Sequence, residues 1–338
     1  MAGPTLRRRD FLRAAALAAA AGAAAGAVRP AAAATLLRIG TGGAGGSYYP
    51  LGRLLAEALT GTAEGGCDPG RCGLPGTVAA AQLSNGSVSN LEALREGRID
   101  IAFAQADTVY WAWSGTGGFA GRPPYAGLRV VANLYTEALH VVVRRGAGIG
   151  RVADLAGRRV SLDEPGSGTL IGARAVLAAH GLGEADLKPE YIKPDMAMAR
   201  IREDRLDAFF ITVGAPSPMI AEAAGRGEVV LLPVEGAPAA ALLRGSPFFA
   251  AAVLAEGLYP GLAAVPTVGV RAQLVADAAA PDDLVHGIAA VLWGERAAGL
   301  LGRHPKGGEI RRDRAAADLA VPLHEGAARY YRGVGLLP

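Results

Sequence analysis

The sequence EGRIDIAFAQAD, residues 96–107, has a counterpart 107 positions later in EDRLDAFFITVG, residues 203–214. Both stretches have the pattern of a helix end, a turn and a buried strand. Such a short match can also arise by chance, because α/β proteins reuse the strand-turn-helix unit. The gapless alignment pairs Glu96 with Glu203, Arg98 with Arg205, Asp100 with Asp207, and Phe103 with Phe210.

The segments upstream of the two stretches are also alike. Each contains an apolar strand pattern, a Gly-rich joint and a helix pattern, in residues 37–59 and again in residues 158–182. Short strands that alternate with helices predict α/β layers with a mostly parallel sheet. The chain is also longer than one hydrophobic core usually organises. We therefore predict two similar lobes, the first formed by residues 35–137 with 268–338 and the second by residues 138–267.

Small polar residues follow the predicted strands in both lobes. Ligands of open parallel sheets lie outside the carboxyl ends of the strands, so two such edges that face each other would form a ligand cleft. In the first lobe these residues are Gly46, Ser47, Tyr48, Gln105 and Asp107, and in the second they are Gly166, Ser167, Gly168, Thr169 and Thr212.

The joint in the first lobe raises the question of a nucleotide site, because Gly40, Gly42 and Gly45 have G-x-G-x-x-G spacing. A dinucleotide site also needs an acidic residue about 20 positions on, at the end of a second strand. No strand pattern follows there, and the fingerprint fails. A Gly-rich turn at a helix N-terminus can still hold a carboxylate or a phosphate. Three hydroxyl residues at these joints either donate to such an anion or only cap the helices: Ser47, Ser167 and Thr169.

Catalytic motifs are missing from the sequence. It contains no G-x-S-x-G, no H-E-x-x-H and no P-loop lysine, and its five histidines are scattered. Asp163 and Glu164 could form a carboxylate pair, but neighbouring residues of an extended chain point in opposite directions, which favours solvated or capping roles. We predict a protein that is not an enzyme and that uses neither a metal ion nor a cofactor.

The N-terminus has the pattern of an export signal. The basic segment RRDFLR, residues 8–13, precedes fifteen apolar residues at 14–28 and the small residues of RPAAAA. The Arg pair indicates a twin-arginine-type signal peptide over residues 1–34, cleaved near Ala34, and hence a periplasmic protein. Because this segment holds five Arg and one Asp, its removal changes the formal charge from +3 to −1. The remaining chain has no basic stripe for nucleic acid.

The two cysteines of the chain, Cys67 and Cys72, lie in the Gly/Pro-rich sequence CDPGRCGLPG, residues 67–76. A metal site would need further ligands at useful spacing, and the neighbouring sequence offers none. In an exported protein we expect this pair to form one small disulfide.

The chain resembles the TAXI-type extracytoplasmic solute receptors that serve TRAP transporters. The resemblance covers nearly the whole sequence after residue 34 and rests on motifs that are modest singly but follow the expected order. They are IGTGGAGGSYYPLG, CGLPGTVAAAQLSNGSVSNLEAL, IDIAFAQAD, YTEALHVVVRRGAGI, DLAGRRVSLDEPGSGT, DAFFITVGAPSP, YPG with VPTVGV, and PLHEGAARYY.

This resemblance implies a two-lobed periplasmic binding fold of type II, with a hinged cleft between the lobes. It also implies a monomer that captures a small organic acid or amino acid, such as glutamate, glutamine or 2-oxoglutarate, and delivers it to TRAP permease subunits. The implied contacts include no Arg that could clamp a carboxylate in a bidentate manner. They are Gly46, Ser47, Tyr48, Ser89, Asn90, Gln105, Asp107, Ser167, Gly168, Thr169, Thr212 and Gly214.

Two other functions stay open at the level of sequence. One is a receptor that feeds an ABC importer or a sensor kinase, because binding proteins of these kinds differ in their membrane partner. The other belongs to a different class, an exported nucleotide-dependent oxidoreductase, because the twin-arginine route carries folded proteins with cofactors. The missing acidic residue after a second strand speaks against the oxidoreductase.

Overall fold

The computed structural model describes residues 34–61 and 67–338, so the predicted signal peptide lies outside the described residues up to residue 33. The strands are β1 (Thr35–Gly40), β2 (Thr77–Gln82), β3 (Ile101–Gln105), β4 (Leu128–Arg144), β5 (Arg159–Ser161), β6 (Lys188–Glu190), β7 (Ala208–Val213), β8 (Val229–Leu232), β9 (Phe249–Leu254) and β10 (Val265–Asp277). The helices are α1 (Tyr48–Leu59), α2 (Pro69–Cys72), α3 (Ser87–Arg95), α4 (Ala106–Ser114), α5 (Gly168–Ala179), α6 (Pro194–Arg202), α7 (Pro218–Gly225), α8 (Gly236–Gly245), α9 (Asp282–Leu292), α10 (Glu295–Leu301) and α11 (Glu325–Gly333).

The strands form one mixed sheet in the order β2-β1-β3-β10-β4-β7-β5-β6, with β8 added to β4 and β9 to β10. The outer pairs are parallel, as predicted, whereas β4 and β10 pair antiparallel with each other and with their neighbours. The chain passes from the first half to the second along β4 and returns along β10, so these two long neighbouring strands run in opposite directions. The predicted α/β fold class is confirmed. The lobe boundaries, which fall inside β4 and β10, stay a prediction.

The predicted internal repeat is confirmed by the positions of the elements. Helices α3 and α6 begin and end at residues 107 positions apart, and β3 and β7 begin at the same offset. Alternate residues of both strands face different hydrophobic clusters: Phe103 and Phe210 belong to one side of the sheet, and Ala102 and Phe209 to the other. Helices therefore cover both faces of each half, and each half has its own core.

The matched acids Asp100 and Asp207 make the same contacts. Asp100 accepts hydrogen bonds from the backbone N–H of Arg38 and from its guanidinium, with the shorter guanidinium contact at 2.8 Å. Asp207 does the same with Arg159, at 2.6 Å. Each pair joins the turn before the third strand of a half, β3 or β7, to the first strand of that half, β1 or β5. The repeat thus preserves a structural ion pair, and these acids have no place in a ligand site.

Replacing Asp207 by asparagine is expected to lower the free energy of unfolding by about 1–2 kcal/mol, because a charge-assisted pair is lost while Arg159 is partly screened by solvent. The Arg159 hydrogen bonds hold the pKa of Asp207 at about 2. An acid with a lowered pKa stabilises the fold above its unfolded pKa, so this contribution should vanish as the pH falls from 3.8 towards 2. Urea titrations measure the effect. Glu203→Gln, in an exposed pair with Arg205, is the control, and an equal loss in both variants would contradict the assignment.

The predicted disulfide is present: Cys67 and Cys72 are bonded, with their Cα atoms 6.0 Å apart. It closes the loop that contains α2, between α1 and β2. Among the described residues, no single helix is long and apolar enough to cross a bilayer, and the pair α9 and α10 reaches that length only together, with a bend of 59° at the break.

Candidate functional site

A cleft of about 340 Å³ lies between the two halves of the repeat. Its walls come from the ends of strands and the beginnings of helices, as the sequence predicted for the carboxyl edges of the sheet. From the first half it is lined by residues 42–48, 83–87 and 105; from the second half by residues 163–164, 167–169, 193–195 and 211–212; and from β4 by residue 137.

Eight of the twelve predicted contact residues line this cleft, and four do not. The eight are Gly46, Ser47, Tyr48, Gln105, Ser167, Gly168, Thr169 and Thr212. The four that do not are Ser89, Asn90, Asp107 and Gly214. Whether the eight contact a solute stays a prediction.

The four other residues support the walls of the cleft. Asn90 is buried and donates hydrogen bonds to the carbonyl oxygens of Thr41 and Phe103, at 2.6 and 2.8 Å, which ties α3 to the end of β1 and to the middle of β3. Asp107 accepts from the backbone N–H of Thr108 at 2.6 Å, in the first turn of α4. The amide of Ser89 donates to the carbonyl of residue 166, and that of Gly214 donates to the hydroxyl of residue 47.

The two halves touch each other across the cleft. The amide of Gly214 donates to Ser47 Oγ at 3.1 Å, and Asn85 Nδ2 donates to the carbonyl oxygen of Pro165 at 3.1 Å. Gly168 faces the first half so closely that a Cβ there would clash with the side-chain oxygen of Gln105 and lie 2.7 Å from a serine hydroxyl. A side chain at position 168 would therefore have to displace these side-chain groups of the facing wall, whereas the backbone φ there is not in the left-handed region.

Two helix N-termini meet this cleft, those of α1 and α5. Ser167 caps α5, because its Oγ accepts from the N–H of Leu170 at 3.0 Å. Thr169 Oγ1 accepts from the N–H of Thr212 at 3.0 Å. Ser47 makes no such bond within its own helix. Since a hydroxyl that accepts one hydrogen bond still has a hydrogen to donate, all three can also serve an anion held by the helix ends. Capping and ligand binding are thus compatible roles here.

Glu137 is the site residue that sequence reasoning missed. It lies in the middle of β4, is 2% exposed, and accepts a hydrogen bond from the Tyr48 hydroxyl at 2.7 Å. Burial raises its pKa to about 8, against the lowering effect of the hydrogen bonds from Tyr48 and Gln105. A usable signal was present, because a single acid within the apolar sequence of a buried strand is costly unless it has a partner or a role.

The structure contradicts the solvated role expected for Asp163 but agrees with the capping alternative, since its Oδ1 accepts from the backbone N–H of Glu164 at 2.8 Å. Asp163 is 8% exposed and lines the cleft, and burial raises its pKa to about 7. The reason is the backbone: Asp163 has a φ of 74°, so the extended chain ends there and the alternation of side chains no longer applies. Its neighbour Glu164 is paired with Lys193 at 3.5 Å.

The nucleotide fingerprint also fails in the structure: the second strand, which no sequence pattern indicated, is present but lacks the acid. A second parallel strand does follow α1, since β2 pairs with β1, but it begins only at Thr77, after the disulfide loop. It ends at Gln82 and not at an acid. The site therefore lacks the carboxylate that a ribose would need. It offers helix N-termini and hydroxyls for an anion, together with several carboxyl groups for a hydrogen-bond donor or a cation.

Comparison with known proteins gives a family and a fold. The model of the NMT1-like family matches residues 39–335, and the chain belongs to that family. It resembles the alkanesulfonate-binding protein SsuA from Xanthomonas axonopodis pv. citri bound to MOPS, at 23% identity over 92% of this chain and 86% of that chain, with a TM-score of 0.50.

Two other solved structures are similar. PhnD1 from Prochlorococcus marinus (MIT 9301), in complex with methylphosphonate, is 9% identical over 90% of this chain and 99% of that chain, with a TM-score of 0.53. A protein of Bordetella bronchiseptica RB50 is 16% identical over 90% of each chain, also with a TM-score of 0.53. The chain therefore has the fold of periplasmic binding proteins. The finer TAXI resemblance is not confirmed by these comparisons.

Proposed function

We propose that this member of the NMT1-like family is an exported solute-binding protein. It captures a small organic acid or amino acid in the cleft and delivers it to a membrane transporter, without converting it chemically. The proposal rests on one observation: the N-termini of α1 and α5, from different halves of the repeat, both lie at one cleft. A solute bound there contacts both halves at once, so its binding favours their apposition.

The charges of the cleft favour a particular solute chemistry. Among the described residues, no Arg lines the cleft, and Lys193 is its only cation. Four carboxyl groups line it: Glu137, Asp163, Glu164 and Asp195. A solute with two or more negative charges and no donor would face these carboxyls without compensation. We therefore infer a solute with a carboxylate for the helix ends and an ammonium or amide donor for the acids, which favours glutamate or glutamine over 2-oxoglutarate, since 2-oxoglutarate has no such donor.

Two types of membrane transporter could be the partner, a TRAP permease or an ABC importer. The resemblance of the sequence motifs favours a TRAP permease of the TAXI type. The fold neighbours that bind an alkanesulfonate and a methylphosphonate are consistent with the alternative, a receptor for an ABC importer, and support it better than the TRAP proposal. The type of permease encoded beside this gene, followed by uptake assays with that permease, distinguishes them.

Replacing Ser167 and Thr169 together by alanine is expected to weaken solute binding by about tenfold or more, because two hydroxyl donors to a buried anion are lost. Calorimetry with glutamate, glutamine, 2-oxoglutarate, methylphosphonate and MOPS identifies the solute class and then measures the loss. The matched control is Ser114→Ala with Thr116→Ala, a hydroxyl pair of the same spacing outside the cleft.

Two outcomes would count against the proposal in different ways. If no compound of the panel binds, the inferred class of solute is wrong. If one binds with equal affinity to the wild type and to the Ser167/Thr169 variant, the cleft does not use the N-terminus of α5. A flavin or nicotinamide absorption band in the purified protein would instead favour the oxidoreductase.

A further inference from the structure

A second cavity, of about 380 Å³, lies on the other face of the central strands. In the ladder between β4 and β10, Glu137 is opposite Val270, and Thr136 is opposite Arg271. Successive side chains of a strand point to opposite faces of the sheet. Glu137 lines the cleft described above, whereas Thr136 and Arg271 line the second cavity. The side chains of Glu137 and Arg271 thus point to opposite faces of the sheet.

Arg271 is a half-buried cation in this second cavity. Its guanidinium has no hydrogen bond and no ion pair with any of the residues that the structure describes. The comparable strand residues Arg38 and Arg159 are each clamped by a carboxylate. A guanidinium presents its donors in a planar fork that matches a carboxylate, and holding one partly buried without a partner is unfavourable. The arrangement is that of a site for an external anion.

Apolar and aromatic residues form part of the walls around Arg271. Phe248 and Phe249 form one side, and the Phe248 ring packs edge-on against Trp111, with ring centroids 4.8 Å apart. Gln273 contributes a buried amide, whose Nε2 donates to Asn133 Oδ1 at 2.8 Å and leaves its oxygen as an acceptor. Ligand pockets typically combine such apolar walls with a few polar groups in a volume of about 300–1,000 Å³.

The charged groups of this cavity differ from those of the cleft, because a guanidinium rather than carboxyl groups dominates here. The cleft has four lining carboxyls and a single Lys, whereas here the lining acid is Asp318, which is exposed to solvent. A compact anion with an apolar body can therefore place its charge at Arg271 and its body against the phenyl rings. A polar amino acid suited to the cleft would leave the aromatic wall without a partner.

We propose that the cavity behind β4 and β10 is a second binding site, for a small carboxylate with an aromatic or branched apolar body, and that Arg271 holds the carboxylate. The site is independent of the solute cleft and of the identity of its solute.

The experiment titrates the purified chain with benzoate and phenylacetate, and with benzyl alcohol as the uncharged aromatic control. Calorimetry gives the affinities, and Trp fluorescence reports on the ring beside Phe248. Arg271→Gln is expected to weaken carboxylate binding by about tenfold or more. Arg53→Gln, the same change of charge at an exposed position of α1, is expected to leave the affinity unchanged.

A second variant, expected to strengthen carboxylate binding, keeps the proposal testable if Arg271→Gln folds poorly. Asp318→Asn removes the acid of the cavity and should strengthen binding about twofold to fivefold by reducing repulsion. Asparagine tolerates the φ of 52° at that position. The proposal is overturned if neither carboxylate binds, if benzyl alcohol binds equally well, or if both variants behave as the wild type. It is also overturned if the Ser167/Thr169 variant abolishes benzoate binding, since benzoate would then occupy the cleft.

Discussion

A protein with valine in place of Gly168 is expected to bind its cleft solute about 100-fold more weakly than the wild type, or worse. A Cβ at this position would clash with the side-chain oxygen of Gln105, and it would lie 2.7 Å from Ser87 Oγ on the facing wall. The added side chain therefore holds the two halves apart. The solute would keep its contacts with the 42–48 loop but lose those with residues 167–169, and binding that needs both walls would fail.

The stability of the fold should change little in this variant, because Gly168 starts α5 with an ordinary backbone conformation and the clash lies across the cleft. Calorimetry with the solute found in the panel measures the affinity, and small-angle scattering shows whether the chain compacts at saturation. Gly299→Val in α10, where an added Cβ meets no atom within 4 Å, is the control. Wild-type affinity with normal compaction in Gly168→Val would refute the apposition of the two halves as the binding event.

The repeat and the location of the cleft could be predicted from the sequence because both rest on local patterns. The offset of 107 residues reflects two copies of one strand-helix unit, and Asp100 and Asp207 keep the same partners in both. The Gly-rich joints place helix N-termini at the strand ends, which follows from the geometry of parallel sheets. The bond between Cys67 and Cys72 was predictable for a different reason, since a predicted export signal precedes them and the neighbouring sequence offers no further metal ligands.

The remaining features depend on contacts that are distant in sequence. Glu137 reaches Tyr48 across 89 positions, and the local sequence marks it as an isolated acid in an apolar strand but does not indicate which partner or cleft it faces. The antiparallel centre arises because β4 and β10 cross between the halves in opposite directions, which a count of strands and helices does not reveal. The position of Arg271 on the second cavity could not be predicted for the same reason, since the register between β10 and β4, which pairs it with Thr136, sets the face of the sheet to which it points.

Glu137 is expected to make the fold less stable as the pH rises. Its pKa of about 8 in the fold lies above its value of 4.5 when exposed, so the folded state holds a proton that the unfolded state has released. The free energy of unfolding therefore falls with pH between these values. The shift corresponds to a loss on the order of 5 kcal/mol across the whole interval. His140, whose pKa burial lowers to about 4, acts in the opposite sense below pH 6.5, so the wild-type curve alone does not isolate Glu137.

Glu137→Gln isolates this contribution, because glutamine can still accept the hydrogen bond from Tyr48 but does not titrate. Urea unfolding at pH values from 4.5 to 9 should show a flatter dependence for the variant than for the wild type, with the curves diverging up to pH 8. Glu57→Gln, at an exposed position of α1, should follow the wild type. In the same series, a solute whose ammonium meets Glu137 should bind the wild type more tightly as this acid ionises above pH 8, and a pure anion more weakly. Parallel unfolding curves for Glu137→Gln and wild type would mean that Glu137 is already ionised in the folded state, and the expected change in solute affinity above pH 8 would then be wrong.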